Sequence, residues 1–181
     1  MSRIAIPARQ EAPARSQPLL DGVSKTLGSV PNLFRLLALS PAALEGFLGL
    51  SSALAKTLDV KTRERIAIAV ANANGCDYCL SAHTYLGLNL AKITVEDAEA
   101  SREGSSTDPK AAAAVRFAVR ILATRGGVSD ADLAEVRRAG YGDAEIVEIV
   151  GVVAENVMTN FLNRVAETDI DFPILRTAKA A

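Results

Sequence analysis

Apolar residues recur at helical spacing along most of the chain, and no stretch alternates apolar with polar positions as a half-buried strand would. After residue 30 the start and stop signals come in the order that helices require. Pro31 and Pro41 suit first helical positions, where a missing N–H is no loss, and Ser40 stands ready to cap the second. Asp59 precedes VKTRERIAIAVANAN, and Thr94 opens TVEDAEASRE with Asp97 three residues on. Asp108-Pro109 opens KAAAAVRFAVRILATR, which Gly126-Gly127 ends; Ser129 and Asp143 start two further helices. The last of these, DAEIVEIVGVVAENVMTNFLNRVAE, is long and apolar on most sides, which places it at the centre of the fold or at a subunit contact. The pattern predicts an all-α, single-domain helical bundle.

Composition changes this picture little. Of 181 residues 49% are hydrophobic and seven are prolines, enough to bury one core of ordinary size. The one shift along the chain divides a polar, proline-rich N-terminal tail, residues 1–18, from a helical domain over 19–181.

Charge and segment character limit the partners. Twenty basic and twenty-one acidic residues give a net charge of −1, with no Lys/Arg cluster to attract nucleic acid. The N-terminus carries charges and prolines where a signal peptide needs a continuous apolar core. No segment has the roughly eighteen uninterrupted apolar residues of a membrane span. The expectation is a cytoplasmic protein without nucleic-acid or membrane partners.

The stretch NGCDYCLSAHTYLG, residues 74–87, holds both cysteines and the sole histidine. Asn74-Gly75 is a turn signal, so the preceding helix breaks there and a second begins near Cys76. A Cys-x-x-Cys pair then lies on a helix's first turn, where unpaired N–H groups and the dipole favour thiolate. His83, four residues after Cys79, falls on the same helix face and is the natural base. Glu64 has small apolar neighbours at helical spacing, Ala67, Ile68 and Ala71. If its helix packs back on the cysteine helix, the carboxylate can orient His83.

Plainer readings compete at each position. A single buried cysteine is usually a small hydrophobe, but two at this spacing beside the only histidine point to catalysis or metal. Glu64 alone reads as a solvated partner of Arg63 and Arg65, and Tyr78 and Tyr85 as packing residues with a polar tip. Asn156, Asn160 and Asn163 share one helix face that could line a site, although a polar stripe at a helix contact fits as well. Cys76, Cys79, His83 and Glu64 are also ligand types that zinc accepts, which leaves a metal site as an alternative. A non-catalytic redox sensor is a third reading. A thioredoxin-like enzyme is disfavoured because no strand precedes the cysteine pair.

At these residues, RERIAIAVANANGCDYCLSAHTYLG, the chain resembles the alkylhydroperoxidase D-like proteins of the carboxymuconolactone decarboxylase superfamily. The shared pattern is a Glu, twelve residues to Cys, three to a second Cys and four to His. LGSVPNLFRLLALSP and TNFLNRVAETDIDFP resemble the flanks of its uncharacterised peroxidase-related branch, so the similarity runs from about Gly28 to Pro173. The resemblance implies a peroxidatic Cys79, a resolving Cys76 and a proton relay of Glu64 and His83. It implies no cofactor, a hydroperoxide substrate, an external dithiol reductant such as a lipoyl-bearing protein, and a homo-oligomer, trimer or hexamer. This sequence carries Tyr78 where the best-studied members have a second histidine.

Overall fold

In the computed structural model, which describes residues 2–178, nine α-helices follow one another and no strand forms among these residues. They are α1 (Gln17–Leu27), α2 (Asn32–Leu37), α3 (Pro41–Leu54), α4 (Val60–Ala73), α5 (Asp77–Leu86), α6 (Val95–Arg102), α7 (Pro109–Thr124), α8 (Asp130–Arg138) and α9 (Asp143–Ala166). A π-helical turn, Gly87–Ala91, extends α5.

The predicted starts are occupied by the expected caps. Ser40, Asp59, Thr94, Asp108 and Ser129 each accept backbone N–H groups of their own first turn, satisfying donors that would otherwise be unpaired. Pro31 sits one place earlier than expected, as the cap of α2. Residues of the polar N-terminal stretch pack on the domain: Ser16 Oγ donates to Ala38 O at 2.8 Å and Arg35 Nε to Pro7 O at 2.8 Å. The last two, Gln17 and Pro18, already belong to α1.

Helix α4 is the central element. Its residues 66–71 are all buried, and it packs against α5, α6, α7 and α9. One core joins α4 to α7, α8 and α9 through Ile66, Val70, Val115, Val136 and Ile149. A second joins α4 to α5 and α6 and contains both cysteines, and a third gathers the N-terminal helices around Leu20, Leu44 and Phe47. Arg65 of α4 reaches Asp97 of α6 with Nε at 2.7 Å and Nη2 at 2.6 Å, both side chains buried. Ser106 Oγ and Thr107 N donate to the other Asp97 oxygen, so both oxygens of the buried carboxylate are hydrogen-bonded.

The long helix α9 has two characters. Ile146, Ile149, Val152, Val153 and Asn156 face inward, whereas Val147, Val150, Met158, Phe161 and Val165 are exposed. After α9 the chain runs back as an extended strap across α5. Leu175 N donates to Ser81 Oγ, Thr177 N to Asp77 Oδ1, and Phe172 packs edge-on against Tyr78 with centroids 6.0 Å apart.

Candidate active site

The two cysteines lie where α4 hands over to α5. Gly75 takes φ 67°, a left-handed backbone that glycine adopts without strain, and turns the chain into the new helix. Cys76 is the cap of α5: its sulfur accepts the Cys79 N–H at 3.3 Å, the role usually filled by serine or aspartate. The cap geometry therefore holds the two sulfurs on the same turn. Both are free thiols and both are buried.

His83 stands one turn beyond Cys79, and its Nδ1 pairs with Glu64 Oε2 of α4 at 2.9 Å. Gly87 lies beside this pair: a Cβ there would fall 2.9 Å from the flexible end of Ile93, which would have to shift, and 3.7 Å, an ordinary contact, from Glu64 Cβ. The structure thus pairs Glu64 with His83 and Cys76 with Cys79 at the α4–α5 contact.

Electrostatics divide the cysteines. Cys79 is held below the usual thiol range, chiefly by a hydrogen bond from Cys76; burial opposes this, and the His83 charge and the Asn163 and Asn160 amides reinforce it. Cys76 moves the opposite way, because it gives the proton to that hydrogen bond, is buried, and faces the Cys79 charge. The second cysteine holds the advantage, first through the Cys76 hydrogen bond and then through the His83 charge. His83 lies above its usual value: burial works against the cation, but the Glu64 charge and hydrogen bond outweigh it.

Three groups that the sequence left as packing or polar stripe are part of the site. Asn163 Nδ2 donates to Cys79 Sγ at 3.2 Å, and Asn160 Oδ1 accepts from Asn74 Nδ2 at 2.9 Å, which ties α9 to the turn before Cys76. Tyr78, buried, accepts the Leu33 N–H at 3.0 Å on its hydroxyl, whose ionisation is pushed up by burial. Tyr85 is exposed and serves as a packing residue against Phe172.

Glu155 went unnoticed in the sequence. It shares a cavity of about 210 Å³ with His83, Glu64, Arg63, Ser51 and Asn156, roofed by apolar side chains such as Phe34 and Phe47. Burial raises the Glu155 carboxyl above its usual range, against the pull of Ser51, His83 and Arg63. The available signal was a lone acid in the otherwise apolar middle of α9, IVGVVAENV. The cavity meets α5 along Tyr78, Ala82, His83 and Leu86, the face that also carries Cys79.

The four side chains considered as zinc ligands do not converge. Among the described residues no three or more His, Cys, Asp or Glu side chains are grouped to hold a metal ion. The Glu64 carboxylate is engaged by His83. Among the described residues no helix is long and apolar enough to cross a membrane.

Residues 41–120 match the profile of the carboxymuconolactone decarboxylase family, a span that includes Glu64, Cys76, Cys79 and His83. The chain has the all-α alkylhydroperoxidase D-like fold. Among solved structures, an uncharacterised peroxidase-related protein of Ralstonia eutropha, described as an alkylhydroperoxidase AhpD core, superposes with a TM-score of 0.84 at 24% identity, covering 94% of this chain and 92% of that one. An uncharacterised peroxidase-related protein of a Silicibacter species gives 0.80 at 24% identity, covering 93% and 91%. A cysteine-to-alanine variant of the debrominase Bmp8, in complex with 2,3,4-tribromopyrrole, gives 0.78 at 20% identity and 94% of each chain. No protein with curated function matches. At these identities the structural likeness fixes the fold alone, and the chemistry has to be argued from the site.

Proposed function

We propose that this protein is a thiol-dependent peroxidase, reducing hydroperoxides through Cys79 and Cys76. The observation that carries the reading is the chain of contacts from Glu64 Oε2 to His83 Nδ1, with Cys79 one turn away, lowered, and beside Cys76. With Nδ1–H donated to Glu64, the Nε2 of His83 is the basic nitrogen and receives the Cys79 proton, directly or through water. The thiolate attacks the O–O bond, and Cys79 becomes a sulfenic acid as the alkoxide leaves and takes a proton from His83. The Cys76 thiol condenses with the sulfenic acid, releasing water and forming the disulfide, and an external dithiol, free or borne on a lipoyl-type arm, reduces it. A reducing cytoplasm keeps both thiols ready between turnovers.

The same reading assigns the exposed apolar stripe of α9 to a second copy of the chain, making the protein a homo-oligomer.

The test is stoichiometric oxidation. Reduced protein mixed with one equivalent of hydroperoxide is expected to lose two free thiols through a bond within one chain. Cys79→Ser abolishes sulfenic acid formation, whereas Cys76→Ser leaves a dimedone-trappable sulfenic acid on Cys79. An interchain dimer as the main product, or label on Cys76 of the Cys79→Ser protein at the wild-type rate, overturns the assignment. The aromatic lining of the cavity also suits a halogenated ring such as the tribromopyrrole held by the Bmp8 variant. Bromide release from that compound in place of hydroperoxide turnover would move the substrate class while keeping the same two cysteines.

A further inference from the structure

Two openings reach α5, and only one of them has a cysteine, Cys76, in its wall. The His83 cavity runs along the Tyr78, Ala82, His83 and Leu86 face. A wider cleft of about 650 Å³ meets the N-terminal end of α5, with Cys76, Asp77, Asn163, Thr168 and Arg176 in its wall and Ile174 on its rim; Cys79 and His83 do not line it. Tyr78 stands in the walls of both and separates them. Two buried polar atoms of residues that line the cleft have no hydrogen-bond partner, Thr168 Oγ1 and Asn163 Oδ1, in residues only 6% and 3% exposed. Buried polar groups are almost always paired, so unpaired ones that share a cleft with a redox-active sulfur point to a ligand that completes them.

We propose that this cleft admits the reducing dithiol, which attacks the Cys76 sulfur of the Cys76–Cys79 disulfide, while the oxidant uses the His83 cavity. The inference rests on the peroxidase reading and adds the site and the direction of the reductive half-reaction. The incoming thiolate forms a bond to Cys76 sulfur and breaks the S–S bond, and the electron pair leaves on Cys79. The second thiol of the reductant then attacks the mixed disulfide and expels Cys76, so the reductant departs as its own disulfide and the protein recovers two thiols. Attack in this sense releases the better leaving group, since thiol–disulfide exchange is faster when the departing thiol is the more acidic. Cys79 is that thiol, its charge already met by Asn163 Nδ2. The Thr168 hydroxyl can donate to the attacking sulfur, and Asn163 Oδ1 can accept the second S–H. Arg176 is paired with Asp77 at 2.8 Å, so it offers no unpaired positive charge to the incoming reductant.

The experiment starts from protein oxidised with diamide, which makes the disulfide without any peroxide. Brief exposure to 2-mercaptoethanol, acid quenching and peptide mass mapping are expected to place the mixed disulfide on Cys76. With dithiothreitol, Ile174→Trp, which narrows the mouth from an exposed rim position, should slow reduction about tenfold or more, and Thr168→Val severalfold. Oxidation by cumene hydroperoxide, timed separately on Ile174→Trp, should change no more than twofold. A mixed disulfide on Cys79, or unaltered reduction in Ile174→Trp, overturns the proposal. Failure of hydroperoxides to oxidise the wild-type protein would overturn the peroxidase reading by itself, and the position of the mixed disulfide would still decide the cleft.

Discussion

Asn163 Nδ2 donates to the Cys79 sulfur across 3.2 Å, from a residue 84 positions away on another helix. The contact is buried, so the amide cannot be replaced by water without rearrangement. A hydrogen bond to a charged acceptor contributes about 1.5–3 kcal/mol, equivalent to roughly one or two pKa units on the thiolate. Asn163→Leu, which keeps the branched shape and removes the donor, is therefore expected to raise the Cys79 pKa by about one unit. Alkylation by iodoacetamide at neutral pH should slow about tenfold and recover at alkaline pH. An unchanged pH profile would show that the amide does not stabilise the thiolate.

A second expectation concerns the carboxylate that orients the histidine. His83 is raised above its ordinary value by Glu64, so the imidazolium that stabilises the Cys79 thiolate persists further into the neutral range than an isolated histidine would allow. In Glu64→Gln that support is lost and the Cys79 pKa moves up toward the ordinary thiol value of about 8.5. Sulfenic acid formation should then fall most near neutrality, by about 10²-fold or more as general-base catalysis is removed, and recover as pH rises past the thiol pKa. A uniform loss at every pH would instead indicate damage to the cavity.

How much of this was legible in the sequence depended on how local each feature is. Caps, the Asn74-Gly75 break and the four-residue offset from Cys79 to His83 are set by neighbours in the chain, so the helices and the core of the site could be read directly. Glu64 depended on α4 packing against α5, a single long-range condition. Asn163, Asn160 and Glu155 depended on the register of α9 against two other helices, which no local pattern specifies. Their side chains read equally well as a polar stripe. Cys76 as helix cap was also hidden, because cysteine is not among the residues that commonly fill that place.

The Arg65–Asp97 pair gives a prediction about stability. Burial works against the Asp97 charge, but Ser106, Arg65 and the Thr107 N–H outweigh it and hold the carboxyl below its ordinary range. Because the folded pKa is depressed, the pair's contribution is complete above the unfolded value of about 3.9 and is lost as pH falls through the folded value. Urea midpoints should therefore be flat above about pH 5 in respect of this pair and drop below about pH 4. Asp97→Asn leaves Arg65 buried without its partner and should cost about 3–5 kcal/mol at neutral pH, removing that part of the acid dependence. Asp97→Asn as stable as the wild type would place the arginine in solvent contact.

The last expectation is read from the outward face of α9. Val147, Val150, Met158, Phe161 and Val165, with 41–70% exposure, follow each other at three- and four-residue steps once the exposed Ala154 is included. The spacing is nearly palindromic about Asn156. Antiparallel packing against a second α9 sets Val147 opposite Val165, Ala154 opposite Met158 and Val150 against Phe161, and brings Glu148 toward the partner copy's Arg164 end. A stripe that complements itself under a two-fold axis and carries opposite charges toward its two ends suits another copy of the same chain better than an unrelated surface. Sedimentation equilibrium at micromolar concentration should find an even-numbered oligomer. Phe161→Glu, which places like charges near the axis on an already exposed position, should shift it to smaller species while circular dichroism remains helical. A folded wild-type monomer, or an oligomer indifferent to Phe161→Glu and Met158→Glu alike, would remove α9 from the contact.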